Sequence, residues 1–168
     1  MGRWRSPFVI AALAAAALGL SACGFTPLYA SPGVANGLRG VQVVAPEGRT
    51  GYLIREHLDD ALARRSGVTP SYRMELQLAE QRYPRGLRVD NVATRYEYVL
   101  TAAYSLVHLP SGAPAKTGRV RVQLTYDSAD QPYASIAAQQ DVADRAAEEA
   151  ARRLQLELAA WLATQGKG

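Results

Sequence analysis

Three runs of alternating polarity constrain this 168-residue chain more than any other feature. Tyr72, Met74, Leu76 and Leu78 alternate with Arg73, Glu75 and Gln77. Tyr96, Tyr98, Leu100, Ala102, Tyr104 and Leu106 are interleaved with Glu97, Val99, Thr101, Ala103, Ser105 and Val107. Val120, Val122, Leu124 and Tyr126 alternate with Arg119, Arg121, Gln123 and Thr125. A period of two places one set of side chains on a core and the other on the opposite face of a sheet. Pro110-Ser111-Gly112 reads as a turn, and Pro84-Arg85-Gly86 as the start of another. The three runs are therefore expected to form an antiparallel meander.

The flanking segments supply the remaining elements. Leu38 to Val44 is short and β-branched, a fourth strand. Thr50 to Arg65 carries Ile54, Leu58, Ala61 and Leu62 on one helical stripe, with Ser66-Gly67 as the expected stop. Ala134 to about Thr164 reads as one long helix whose stripe runs from Ile136 through Ala143, Ala147, Ala150, Leu154 and Leu158 to Trp161. Alanine along that stripe permits a close approach to its neighbours. The order β-α-β-β-β-α predicts an α+β two-layer sandwich: a four-stranded, mostly antiparallel sheet with two helices on one face, its first crossover right-handed. Residues 38–168 are expected to be one domain.

The N-terminus sets the compartment. Arg3 and Arg5 precede an uncharged run of 13 residues, Phe8 to Leu20, too short to span a bilayer. Leu20-Ser21-Ala22-Cys23 then resembles the bacterial lipobox, so residues 1–22 are expected to be a signal peptide cleaved before Cys23. Cys23 is the only cysteine and has no partner within the chain for a disulfide. The resemblance implies that it carries a diacylglycerol and an N-acyl chain, which hold a protein far more firmly than a single chain does. Residues 23–37, rich in glycine and proline, are expected to be a lipidated tether. Loss of Arg3 and Arg5 lowers the net charge from +4 to +2. That is a weak basis for nucleic-acid binding in an exported protein, and none is expected.

Chemistry-bearing patterns are sparse. His57 and His108 lack the spacing of metal ligands, and no nucleophile elbow or phosphate-cradling glycine loop occurs. Adjacent Asp59-Asp60 and Glu148-Glu149 point in different directions on helices. A binding or structural protein is expected, with no enzyme activity, metal or cofactor apart from the covalent lipid. Two surfaces stand out. The second sheet face is mixed, with Val99, Ala103 and Val107 flanked by Arg73, Gln77, Arg119, Arg121 and Gln123. It reads either as a solvated face or as the contact for a partner with a polar wall, such as the lumen of a membrane β-barrel. Arg82, Arg85 and Arg88 surround a predicted loop with Tyr83, Leu87 and Val89 interleaved. They read either as a solvated hairpin or as forks for phosphate on an amphiphile.

Cys23-Gly24-Phe25-Thr26-Pro27-Leu28-Tyr29 resembles the mature start of the LptE family of lipopolysaccharide-assembly lipoproteins. Arg95-Tyr96-Glu97-Tyr98-Val99-Leu100 with Ala103-Tyr104 is similar to that family too, as is Tyr126-Asp127-Ser128 through Tyr133-Ala134-Ser135 into the alanine-rich helix. The resemblance implies an outer-membrane, periplasmic-face lipoprotein that plugs and helps assemble an LptD-type β-barrel and binds lipopolysaccharide. Gly24 after the lipidated cysteine agrees with release to the outer membrane under the enteric sorting rule. Arg82, Arg85, Arg88, Arg119 and Arg121 are candidate lipopolysaccharide ligands by charge alone. The competing class is another envelope lipoprotein, such as an auxiliary subunit of a lipid-exporting ABC system or a secretin pilot.

Overall fold

The structure, a computed structural model, describes residues 32–65, 67–87, 93–128 and 131–165. Cys23, the signal peptide and Arg88 lie outside the described residues. The elements in chain order are α1 (Pro32–Arg39), β1 (Val41–Val44), α2 (Arg49–Ala61), β2 (Tyr72–Leu87), β3 (Ala93–His108), β4 (Pro114–Asp127) and α3 (Pro132–Gln165). One sheet has the order β1-β2-β3-β4, with β1 parallel to β2 and the other pairs antiparallel. The α+β reading and the meander are correct.

Side-chain parity follows the alternation. Met74, Leu76, Tyr98, Leu100, Ala102, Tyr104, Leu106, Val120, Val122 and Tyr126 are all buried on one face of the sheet. Against them lies the alanine seam of α3, where Ala143, Ala146, Ala147, Ala150 and Ala151 are buried with Leu154 and Leu158. Ile54, Leu58 and Leu62 of the α2 segment close the same core. A row of methyl groups lets α3 lie nearly on the strands, and the large side chains come from the sheet.

Three local readings need correction. The segment ending at Gly37 is not irregular throughout: α1 occupies Pro32–Arg39, buries Val34 and Leu38, and sets Gly37 against Leu162 of α3. Leu38 therefore belongs to a third helix, and the first strand starts at Val41. Apolar Val34 and Leu38 are four residues apart, a helical spacing hidden between glycines.

Helix α2 ends at Ala61, short of the expected Arg65. Arg64 N–H donates to Asp59 O (3.0 Å) and Ala63 N–H to Asp60 O (2.9 Å), a Schellman closure with Ala63 at φ 50°.

The expected turn at Pro84-Arg85-Gly86 is strand: β2 and β3 stay paired to Leu87↔Ala93. Gly86, at φ 60°, interrupts the ladder locally without shifting the register, and its carbonyl accepts a hydrogen bond from Thr94 Oγ1 at 2.9 Å. Pro84 is tolerated because its ring nitrogen faces the side of β2 that has no neighbouring strand.

Candidate functional site

Parity on β2 separates the arginines that sequence had grouped. Arg82 and Arg85 are three residues apart on one strand, so they emerge on opposite faces. Arg82 lies on the helix side, where its Nη1 donates to Gln139 Oε1 of α3 at 3.1 Å. It borders a cleft of 480 Å³ with Glu80, Leu78, Ile136 and the first turn of α2. Beside that cleft Tyr98, 1 % exposed, donates its hydroxyl to Glu80 Oε2 at 2.6 Å. Burial, then the Glu80 carboxylate, push the Tyr98 phenol well above its usual range.

Arg85 lies on the uncovered face. It pairs with Glu97 of β3, its Nε donating to Oε2 at 2.9 Å, while Gln123 Nε2 of β4 donates to Oε1 at 2.9 Å. The Glu97 side chain is only 15 % exposed, although it stands on the open face. The Arg85 hydrogen bond holds its carboxyl below the usual carboxylate range against the opposing effect of burial, with Gln123 and the Arg121 charge assisting. Arg95, directly opposite Arg85, is taken instead by Asp127, with Nε to Oδ1 at 2.8 Å. Each acid thus neutralises one of two like charges that would otherwise repel across the strands.

Arg119 and Arg121 stand on the same uncovered face, on β4. Their rows across the sheet are Gln77–Ala103–Arg119 and Ala79–Thr101–Arg121. The centre of both rows is built from small side chains, which leaves a shallow trough of 420 Å³ with the two arginines on one wall and Gln77 and Gln81 on the other. Neither guanidinium has a hydrogen-bond or ion-pair partner among the described residues. Val99, one row further, is 1 % exposed although no helix among the described residues covers it; Gln81 and Gln123 flank it on either strand. The mixed face is therefore a partly dry polar surface carrying two guanidinium groups that lack a hydrogen-bond partner among the described residues, Arg121 acting on Glu97 through its charge alone.

Of the five candidate arginines, the fold gathers Arg85, Arg119 and Arg121 on one face and sends Arg82 to the other. Sequence reasoning missed Glu97 as the acid that engages Arg85, and the small residues Ala79, Thr101 and Ala103 that form the trough floor. Parity would have identified both had Pro84 not suggested a turn. The histidines are structural. His57 Nε2 lies 2.9 Å from Asp144 Oδ1, joining α2 to α3, and His108 Nδ1 lies 2.9 Å from Ser111 Oγ in the β3–β4 turn. Among the described residues no group of acidic, histidine or cysteine side chains is arranged to hold a metal, and no helix is long and apolar enough to cross a membrane.

Solved structures that share this two-layer α+β fold are bacterial lipoproteins. A crystallised protein from Caulobacter crescentus CB15, designated a lipoprotein, is 54 % identical with a TM-score of 0.69, over 79 % of this chain and 97 % of that one. Rare lipoprotein B from Shewanella oneidensis shares the fold at 13 % identity and TM-score 0.58, covering 75 % of this chain and 96 % of its own. Lipoprotein B from Nitrosomonas europaea does so at 14 % and 0.56, covering 73 % and 83 %. No functionally curated protein matches the chain. The family model LptE, lipopolysaccharide-assembly, matches residues 38–158. The chain belongs to the LptE family of lipopolysaccharide-assembly lipoproteins.

Proposed function

We propose that this protein is an outer-membrane lipoprotein, lipidated at Cys23, that occupies the lumen of a large LptD-type β-barrel and helps it assemble and deliver lipopolysaccharide to the cell surface. It acts without catalysis and without a cofactor beyond its lipid. The observation that carries the reading is the uncovered sheet face, with Arg119 and Arg121 unpaired above a floor of small residues. A barrel lumen is polar, and a flat face of glutamines, threonines and spare guanidinium groups complements such a wall. Burying that face against lipid or an apolar partner would strand its charges at several kcal/mol each. The same guanidinium pair suits bidentate contact with phosphate oxygens, which lipopolysaccharide supplies. Arg85 is less available, because Glu97 already holds it.

Purification of tagged, membrane-derived protein in mild detergent, with co-purifying chains identified by mass, tests the partner. A stoichiometric large β-barrel protein is the expected result. Recovery of only inner-membrane transporter or secretin components would reject the plug reading in favour of an auxiliary or pilot lipoprotein.

A further inference from the structure

Among the described residues of the uncovered sheet face, three acids each pair with one arginine: Glu75 with Arg73, Glu97 with Arg85 and Asp127 with Arg95. Two of these pairs are ordinary surface contacts. The Glu75 and Asp127 side chains are 48 % and 73 % exposed, and solvated ion pairs of that kind contribute little. Glu97 differs, because its side chain is shielded and both of its oxygens are engaged. Arg85 donates to Oε2 from Nε and from Nη2, and Gln123 of β4 donates to Oε1. Tyr83 supports the fork: Arg85 Cζ lies 5.9 Å from its ring centroid, and Tyr83 Oη donates to Gln81 Oε1 at 2.8 Å. The charge of Arg121 reaches the same carboxylate without a hydrogen bond.

A guanidinium fork, an amide N–H and a further cation around one shielded carboxylate form the donor set of an oxyanion site, and here the oxyanion is tethered to the chain. Rotation of the Glu97 side chain would vacate it. Arg95 offers the carboxylate a second position: it is two residues away on the same face of β3, about 7 Å along the strand, and its guanidinium has donors beyond the one used by Asp127. A phosphate taking the vacated place brings more charge and one more oxygen than the carboxylate. The exchange is favoured further when the ligand is already held nearby, because its next phosphate then arrives at a high effective concentration. Arg119 and Arg121 supply that hold. Arg121 stands one strand over and two rows along from Glu97, about 14 Å between Cα atoms.

We infer that Glu97 is a built-in counter-anion in a second phosphate site, made by Arg85 and Gln123, and that a phosphorylated amphiphile held by Arg119 and Arg121 displaces it with a further phosphate. While the site is empty, Glu97 keeps Arg85 from repelling Arg95 directly across the strands. When the site is full, the same carboxylate competes with the ligand and returns as the ligand leaves. Glu97 thus sets both affinity and release. The inference rests on the reading that lipopolysaccharide phosphates meet this face, and it adds the residue that governs their exchange.

Equilibrium and dissociation-rate measurements with lipopolysaccharide in detergent micelles, on the full chain purified from membranes, test this. Glu97→Gln, close in shape and uncharged, is expected to bind lipopolysaccharide about tenfold more tightly than wild type and to release it more slowly. Glu97→Ala frees the same guanidinium by a different route and should shift binding in the same direction. Glu75→Gln makes the same charge change on the same face and is expected to stay within about twofold of wild type, because its partner is solvated. Adding Arg85→Ala to Glu97→Gln is expected to remove the gain, since the freed guanidinium is its source. Inorganic phosphate, which cannot bridge the two sites, should gain less than lipopolysaccharide. Unchanged or weaker binding by folded Glu97→Gln and Glu97→Ala, or an equal gain from Glu75→Gln, overturns the inference and leaves the lipopolysaccharide reading standing. An equal gain for inorganic phosphate overturns the amphiphile as the ligand. A wild type that binds no lipopolysaccharide overturns that reading and this inference together.

Discussion

Ala63 holds φ 50° at the close of α2, a conformation in which a Cβ is strained by roughly 1 kcal/mol and glycine is at ease. Ala63→Gly is expected to raise the melting temperature by about 2 °C, allowing for the entropy glycine adds to the unfolded chain. Gly118 is the opposite case. A Cβ there would sit 2.5 Å from the buried Tyr104 ring, so Gly118→Ala is expected to cost about 1–3 kcal/mol, read as a lower midpoint in urea with an unchanged slope. Glu149 offers a pH signature. Arg152 and Arg153 hydrogen bonds lower its carboxyl to about 2 from an ordinary 4.5. A carboxyl depressed in the folded state stabilises above its unfolded value, and that contribution is lost as pH falls from about 4.5 to about 2. Because the network is at the surface, Glu149→Gln should lower stability at pH 7 by only about 0.5 kcal/mol. The gap from wild type in thermal melts should close near pH 2; a constant gap across that window would show that the charge is not its source.

At the scale of elements, α3 is held by small residues and β2, beyond Glu75, by a ladder on one side. Ala147 is fully buried beneath the sheet, and Ala147→Leu should lift α3 from the strands at a cost of about 1–3 kcal/mol. Leu154→Ala, at the other end of the seam, should leave a cavity and cost about 2–5 kcal/mol. The first change adds volume and the second removes it, and denaturant melts of both measure how closely the alanine seam is fitted. The strands themselves were legible because the core takes every second side chain from each of them. The extent of β2 was not legible. Pro84 and Gly86 are turn formers in isolation, and only the absence of a neighbour on one side of β2 makes a proline harmless there.

On the scale of the whole molecule, the proposed function rests on which arginines share a face. Arg119→Glu with Arg121→Glu is expected to reduce recovery of the barrel partner and lipopolysaccharide binding at least about tenfold while leaving the melting temperature within about 2 °C, because both side chains are solvated and unpaired. Arg82→Ala should leave binding at the sheet face unchanged, because its side chain is on the helix side. Equal losses from both variants would show that the arginines act through net charge and not through the face they occupy.

The sequence by itself determined the alternation that makes the sheet, the helical stripes that cover it, and the resemblance that names the family, because each is written in the spacing of neighbouring residues. Tertiary structure alone decided that Arg82 and Arg85 part company, that Glu97 is spent on Arg85, that Arg119 and Arg121 find no hydrogen-bond or ion-pair partner among the described residues, and that β2 runs on past the end of β1. Those outcomes depend on which strand lies beside which and in what register. Register is fixed by the packing of the whole core, not by any local run of residues.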